Sequence, residues 1–235
     1  MPRVSYPCWV PPRPELHVLD DPAVVVGELL ASQARAGGSI VLTGGSTPRR
    51  AYERAAALQP DWSAATVWWG DERCVPPDDE RSNYRLAEES LLSQLLGPPL
   101  ELHRIRGELE PEEAAAELDA VLAGATLDLL LLGMGPDGHV ASLFPGSPQL
   151  AVEDRRAVSG PPGLEPFVER VTMTMPVLQA ARRIVLLVTG EEKAEPVARA
   201  FGPEIDEEVP ASLLRRARTP VEVFLDAAAG FKIER

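Results

Sequence analysis

Short, nearly continuous apolar runs recur along this chain, each closed by turn residues and separated from the next by segments with helical spacing. They predict strands at Leu16–Leu19, Ser39–Thr43, Thr66–Trp69, Leu102–Ile105, Asp128–Gly133, Arg156–Ser159, Val168–Thr174, Arg183–Thr189 and Val221–Leu225. Blocks such as Ile40-Val41-Leu42, Leu129–Leu132 and Ile184–Val188 are apolar throughout rather than alternating, as parallel strands covered by helices on both faces must be. Between them, Asp21 followed by Pro22 predicts a capped helix to about Ala36, and Thr47 followed by Pro48 one to about Leu58. Ser82 opens a segment running to near Leu96, where Gly97-Pro98-Pro99 stop it; Pro111 begins a helix to Leu122 and Glu191 one to about Ala200. The expected fold is α/β: a Rossmann-like, open, mostly parallel sheet with helices on both faces. No repeat, low-complexity segment or linker interrupts it, so residues 1–235 read as one domain. In such sheets ligands gather beyond the carboxyl ends of the strands.

Composition narrows the function. Hydrophobic residues are 45% and charged residues 25% of the chain, a globular balance. With 23 basic against 36 acidic residues the formal charge is −13, which repels polyanions. The pairs Arg49-Arg50, Arg155-Arg156, Arg182-Arg183 and Arg215-Arg216 are isolated, so no nucleic-acid partner is expected. No apolar stretch approaches the ~18 residues of a membrane span, and Met1–Pro7 carries no apolar leader core. A cytoplasmic protein with no membrane partner is the expectation. Cys8 and Cys74 read as free thiols of a reducing compartment. His17, His103 and His139 show no metal-ligand spacing, so no metal is expected.

The predicted strand ends carry the chemistry. Gly133-Met134-Gly135-Pro136-Asp137-Gly138 satisfies G-x-G-x-x-G, the dinucleotide fingerprint. That fingerprint requires a long helix directly after it, and here Pro145, Gly146 and Pro148 stop any helix early. It also requires an acidic residue ending the next strand, whereas Glu153 and Asp154 precede one. The glycines instead allow a sharp turn that presents Asp137 and His139. An imidazole is a natural general base near neutral pH, and a carboxylate two positions away is placed to orient it; a turn or capping role for His139 is the alternative.

Gly44, Gly45, Ser46 and Thr47 follow a second strand and open a helix, forming a cradle of N–H groups for an anion. It lacks the P-loop lysine, which favours a phosphomonoester over a nucleoside triphosphate; ordinary capping by Ser46 or Thr47 is the rival. Asp71, Glu72 and Arg73 end a third strand, with Asp71 and Arg73 as substrate-binding candidates. An acid–base tie to the Ser82 helix remains open for Glu72 and Asp79. Lys193 stands in the first turn after a fourth strand, against the helix dipole, either to hold a ligand or as a solvated lysine. Ser142 lies in no G-x-S-x-G elbow and reads as a packing residue.

Five segments, in order from Ser39 to Arg216, resemble the 6-phosphogluconolactonase family: "LTGGSTP", "WWGDERCVPPDDERSNYRLA", "LLLLGMGPDGHVASLFPG", "RVTMTMPVLQAARRIVLLVTGEEKA" and "PASLLRR". The resemblance implies a NagB-like Rossmann-type fold and hydrolysis of 6-phospho-D-glucono-1,5-lactone to 6-phosphogluconate, with neither metal nor organic cofactor. It further implies His139 as the base that activates water, and phosphate held by the Gly44–Ser46 turn, Arg73 and Lys193. Arg170, in "ERVTMT", is implied as another substrate contact. A glucosamine-6-phosphate deaminase is the nearest rival; relatives of that kind carry a glutamate in a segment like F-N-E-P, where this chain has Leu143-Phe144-Pro145. A non-catalytic sugar-phosphate sensor, the other rival, needs a DNA-binding domain, and no spare helix-turn-helix is present.

Overall fold

The computed structural model describes residues 12–233. In chain order the elements are β1 (Glu15–Val18), α1 (Pro22–Ala36), β2 (Gly38–Leu42), α2 (Pro48–Leu58), β3 (Ala65–Trp69), β4 (Asp71–Arg73), α3 (Asn83–Ser90), β5 (Glu101–His103), α4 (Pro111–Val121) and β6 (Leu129–Leu132). They continue with β7 (Ala157–Gly160), β8 (Arg170–Met173), α5 (Met175–Gln179), β9 (Ile184–Val188), α6 (Ala194–Phe201), α7 (Pro210–Leu213) and β10 (Val221–Leu225). Seven strands form an all-parallel sheet in the order β1-β10-β9-β6-β2-β3-β5. Its centre, β6 and β9, is buried at every position, as the unbroken apolar blocks require. Helix α1 packs across β2, β3, β9 and β10.

A second sheet corrects the single-sheet expectation. The segments expected at Arg156–Ser159 and Val168–Thr174 pair with each other and with Asp71–Arg73 as a three-stranded antiparallel sheet, β4-β8-β7. The connection from β7 to β8 is too short for the parallel crossover, which takes a dozen or more residues. Gly70 joins the two layers: its N–H donates to Leu42 O (3.0 Å) and its carbonyl accepts from Met173 N (2.8 Å). Asp71, Glu72 and Arg73 are thereby a short strand rather than a free loop.

The helix ends also depart from expectation. Thr47 itself has helical backbone angles and makes no side-chain cap; its Oγ1 lies 3.2 Å from Thr189 Oγ1 across the cleft between β2 and β9. Asp21 makes no cap either and pairs with Arg50 at 2.5 Å. Ser82 does cap α3, accepting from Arg85 N, but α3 stops at Ser90 and is followed by a 3-10 turn at Leu92–Gln94. There the Ser90 hydroxyl donates back to Leu86 O and Leu91 leaves helical geometry. The helix expected from Glu191 begins as a 3-10 turn, Glu191–Lys193, before α6. Among the described residues no helix is long and apolar enough to cross a membrane. Burial pushes the Cys74 thiol up to about 11, and Cys8 lies outside the described residues.

Candidate active site

The carboxyl ends of β2, β6 and β9 open onto a cleft of about 590 Å³. The residues singled out in the sequence at four separate strand ends, Gly44, Gly45, Ser46, Asp71, Arg73, His139 and Lys193, all line it, together with Arg170. Asp137 stands directly behind His139, its Oδ1 2.6 Å from His139 Nδ1.

The histidine is built by the glycine loop after β6. Gly138 has φ +83°, a left-handed conformation that suits glycine, and its N–H donates to Gly135 O. A Cβ on Gly135 would lie 2.0 Å from His139 Nδ1, so the second glycine of the G-x-G pattern makes room for an imidazole rather than for a pyrophosphate. Asp137 Oδ1 also accepts from the backbone N–H of His139 at 3.1 Å. Burial works to raise the Asp137 pKa, but the hydrogen bond and charge of His139 outweigh it, and the carboxyl lies below its usual value. An anionic acceptor at Nδ1 places the ring hydrogen there and leaves Nε2 as the acceptor for an outside proton.

Facing this pair is a surface of positive charge. Arg73 and Arg170 are register partners on β4 and β8. Lys193 follows β9 and feels the charges of Glu192 and Asp137, which partly offset the downward push of burial on its pKa. Among the described residues, none of these three cations lies within ion-pair distance of a carboxylate. Burial and the neighbouring Arg73 charge push the Arg170 guanidinium below its ordinary value. Both arginines carry a buried Nε–H with no hydrogen-bond partner among the described residues. Three uncompensated cations in a chain of net −13 are what a bound anion would neutralise.

The Gly44–Thr47 turn stands beside them. Gly45 has φ +94°, and a Cβ on Gly44 would meet Asn83 Oδ1 at 1.8 Å, so both positions require glycine. Tyr52 anchors the approach, its hydroxyl donating to Thr43 O (2.6 Å) and accepting from Thr43 N (2.9 Å).

Asp71 is placed differently from Arg73. It is buried, and its carboxylate accepts from Ser142 Oγ (2.6 Å) and Asn83 Nδ2 (3.2 Å), forming the polar floor of the cleft. Ser142 is buried, and its hydroxyl is a polar tie to Asp71 rather than a packing surface. Glu72 points away and accepts from Ser82 Oγ and from the N–H groups of Arg73, Asn83 and Tyr84, tying β4 to the start of α3. Asp79 pairs with Arg81. Arg170 spends one Nη2 on the carbonyls of Leu164 and Pro166.

Sequence reasoning missed Asn83, Thr189 and the segment 161–169, which brings Leu164, Glu165 and Phe167 to the cleft wall. It also missed Phe144, whose ring centroid is 4.5 Å from that of His139. Phe144 stood inside a quoted motif, but an aromatic residue there reads as core. Glu15, His17 and Glu222 bring ligand-type atoms within 4.8 Å of one another at the edge of the large sheet, far in sequence from the cleft motifs. Arg183 already takes both Glu222 oxygens at 2.7 Å, so the cluster is an ion pair beside a stacked histidine rather than an open cation site.

Comparison with known proteins follows the same lines. A family model described as glucosamine-6-phosphate isomerases/6-phosphogluconolactonase matches residues 23–223. A 6-phosphogluconolactonase of Haemophilus influenzae is 37% identical over 199 residues, spanning 81% of this chain and 85% of that protein. The solved 6-phosphogluconolactonase from Trypanosoma brucei superposes with a TM-score of 0.81 at 28% identity, over 94% of this chain and 99% of that one. A monomeric glucosamine-6-phosphate deaminase superposes equally well, with a TM-score of 0.81 over 94% of this chain and all (100%) of that one; at 20% identity it shares the fold.

Proposed function

The chain belongs to the family of glucosamine-6-phosphate isomerases and 6-phosphogluconolactonases, and on that premise we infer that it hydrolyses 6-phospho-D-glucono-1,5-lactone to 6-phospho-D-gluconate in the oxidative pentose phosphate pathway. The observation that carries the reading is the Asp137–His139 pair facing three unpaired cations across one cleft.

A six-membered lactone is an activated ester, so a positioned general base suffices without a covalent nucleophile. Nε2 of His139 takes a proton from water as the water oxygen attacks C1, a contribution of about 10²–10⁴ in rate. Asp137 holds Nδ1–H and stabilises the imidazolium formed. Ring oxygen O5 leaves as the tetrahedral intermediate collapses, and the imidazolium returns its proton there. Arg73, Lys193 and the N–H groups of Gly44, Gly45 and Ser46 hold the distant phosphate; that binding energy fixes C1 against the water. Positive groups or N–H donors of the cleft stabilise the oxyanion, and Asp71 fixes the floor beneath the substrate through Ser142 and Asn83.

The deaminase reading is the weaker one: its glutamate has no counterpart at Leu143-Phe144-Pro145, where the structure puts an aromatic ring against His139. A cytoplasmic setting, without nucleic-acid or membrane partners, fits a phosphorylated sugar substrate and the charge of −13. The test is hydrolysis of freshly made 6-phosphogluconolactone against a protein-free control, since the lactone opens spontaneously. A rate no faster than that control overturns the reading, and ammonia release from glucosamine-6-phosphate would replace it with the deaminase.

A further inference from the structure

The segment 161–169 joins β7 to β8 and forms one wall of the cleft through Leu164, Glu165 and Phe167. Two contacts strap it in place. Arg170 Nη2 donates to the carbonyl oxygens of Leu164 at 2.8 Å and Pro166 at 3.0 Å. Gly163 packs against Phe144, so closely that a Cβ there would lie 2.6 Å from three carbons of the ring. The Arg170 guanidinium itself lies over Phe144, 5.6 Å from the ring centroid. The His139 ring packs on the same Phe144 with centroids 4.5 Å apart and planes inclined by 43°. One side chain, 8% exposed, therefore touches the strap, the arginine that grips the strap, and the histidine.

The contact with His139 answers a geometric need. The Asp137 hydrogen bond fixes Nδ1 but leaves the imidazole free to swing about that point, so the direction of Nε2 is unset. A packed ring on the imidazole removes the remaining freedom. Misplacing a reacting group by ~1 Å costs about 10²-fold in rate, so the direction of Nε2 matters more than the small packing energy involved.

We propose that Phe144 is a positioning residue for the hydrolysis, coupling the seated strap 161–169 to the aim of His139 Nε2. The strap seated on Phe144 holds the imidazole in its working orientation; lifting the strap frees the phenyl ring and, with it, the base. Arg170 then acts on the reaction through the strap carbonyls it holds. The inference rests on His139 being the general base of the lactonase reaction.

The test uses the full chain and fresh lactone, with kcat and KM measured separately and folding followed by thermal melting. Phe144→Leu keeps apolar bulk without a ring, Phe144→Tyr keeps the ring, and Gly163→Ala wedges the strap off Phe144 while changing an exposed position. Phe144→Leu and Gly163→Ala should each lower kcat about tenfold or more with KM held within about threefold, because the loss is in the transition state and not in binding. Phe144→Tyr should return kcat to within about threefold of the parent. Gly163→Ala should also speed proteolytic cleavage within 161–169. The proposal is overturned by a folded Phe144→Leu protein with parental kcat, by a Phe144→Tyr loss equal to that of Phe144→Leu, or by an unaltered kcat in Gly163→Ala. If Phe144→Leu does not fold, Gly163→Ala alone decides. An inactive parent protein would instead fail the lactonase reading.

Discussion

Arg73 and Arg170 are register partners on two antiparallel strands, and among the described residues neither lies within ion-pair distance of a carboxylate. Neighbouring cations repel, and the repulsion contributes to the lowered pKa of Arg170. The arrangement is costly in the empty protein and favourable once a dianion arrives. Their contacts differ, however: Arg170 grips the strap 161–169, whereas the Arg73 guanidinium donates Nη1 to Arg81 O and, among the described residues, makes no other hydrogen bond.

Arg73→Ala should therefore act on ground-state binding. A hydrogen bond to a charged group is worth about 1.5–3 kcal/mol, so KM should rise roughly tenfold to a hundredfold with kcat little changed. A lactone lacking the phosphate should show no such difference between the two proteins. Equal loss for both lactones would remove Arg73 from phosphate recognition.

Asp137→Asn should leave the fold intact and lower kcat by about 10²–10⁴, because an amide can donate to Nδ1 and so leave the hydrogen on Nε2. His139→Ala should be at least as damaging. The two act as one unit, so the double variant should be no slower than His139→Ala alone. Multiplying losses would mean that Asp137 works independently of the imidazole.

Much of this site was legible because its parts are local in sequence. Gly44–Thr47, Arg73, Asp137–His139 and Lys193 each follow an apolar run, and an open parallel sheet brings strand ends together by construction. What was not legible depends on contacts between distant segments. The pairing of Asp71–Arg73 with Arg170–Met173 is set by the turn at Gly70 and the short link from β7, and no local pattern encodes it. Asn83 reaches the cleft only because α3 returns beneath Gly44. The G-x-G-x-x-G match names no ligand for a related reason: glycines report close approach to the backbone, and only the missing helix and acidic residue set the dinucleotide reading aside in favour of Asp137 and His139.

Lys193 gives the pH dependence. Burial lowers its pKa, with Glu192 and Asp137 partly restoring it. A phosphate dianion binds the ammonium form, so KM should climb as pH rises through that lowered pKa, starting below the ordinary lysine value of about 10.4. Unfolding would not produce this limb. In the interval between the lowered folded pKa and the ordinary one, the unfolded chain holds more protons at this residue, so its contribution to stability increases with pH. Lys193→Arg should keep affinity at neutral pH and flatten the alkaline rise. A KM profile for Lys193→Arg that matches the parent would exclude Lys193 as its source.

Gly135→Ala separates the two halves of the site. The added methyl would fall 2.0 Å from His139 Nδ1 and 2.6 Å from Asp137 Oδ1, so the imidazole has to leave its hydrogen bond. The proposed phosphate side, Gly44–Ser46, Arg73 and Lys193, is not among the nearest atoms that methyl would meet. The variant should lose nearly as much kcat as His139→Ala while binding 6-phosphogluconate, measured calorimetrically, within about threefold of the parent, since a binding interaction away from the altered group is additive with it. Gly133→Ala, where the added methyl meets no atom within 4 Å, should cost far less. If Gly135→Ala kept its kcat, the second glycine would not be serving the histidine; if it lost product binding as well, the base and the phosphate cradle would not be separable parts of one cleft.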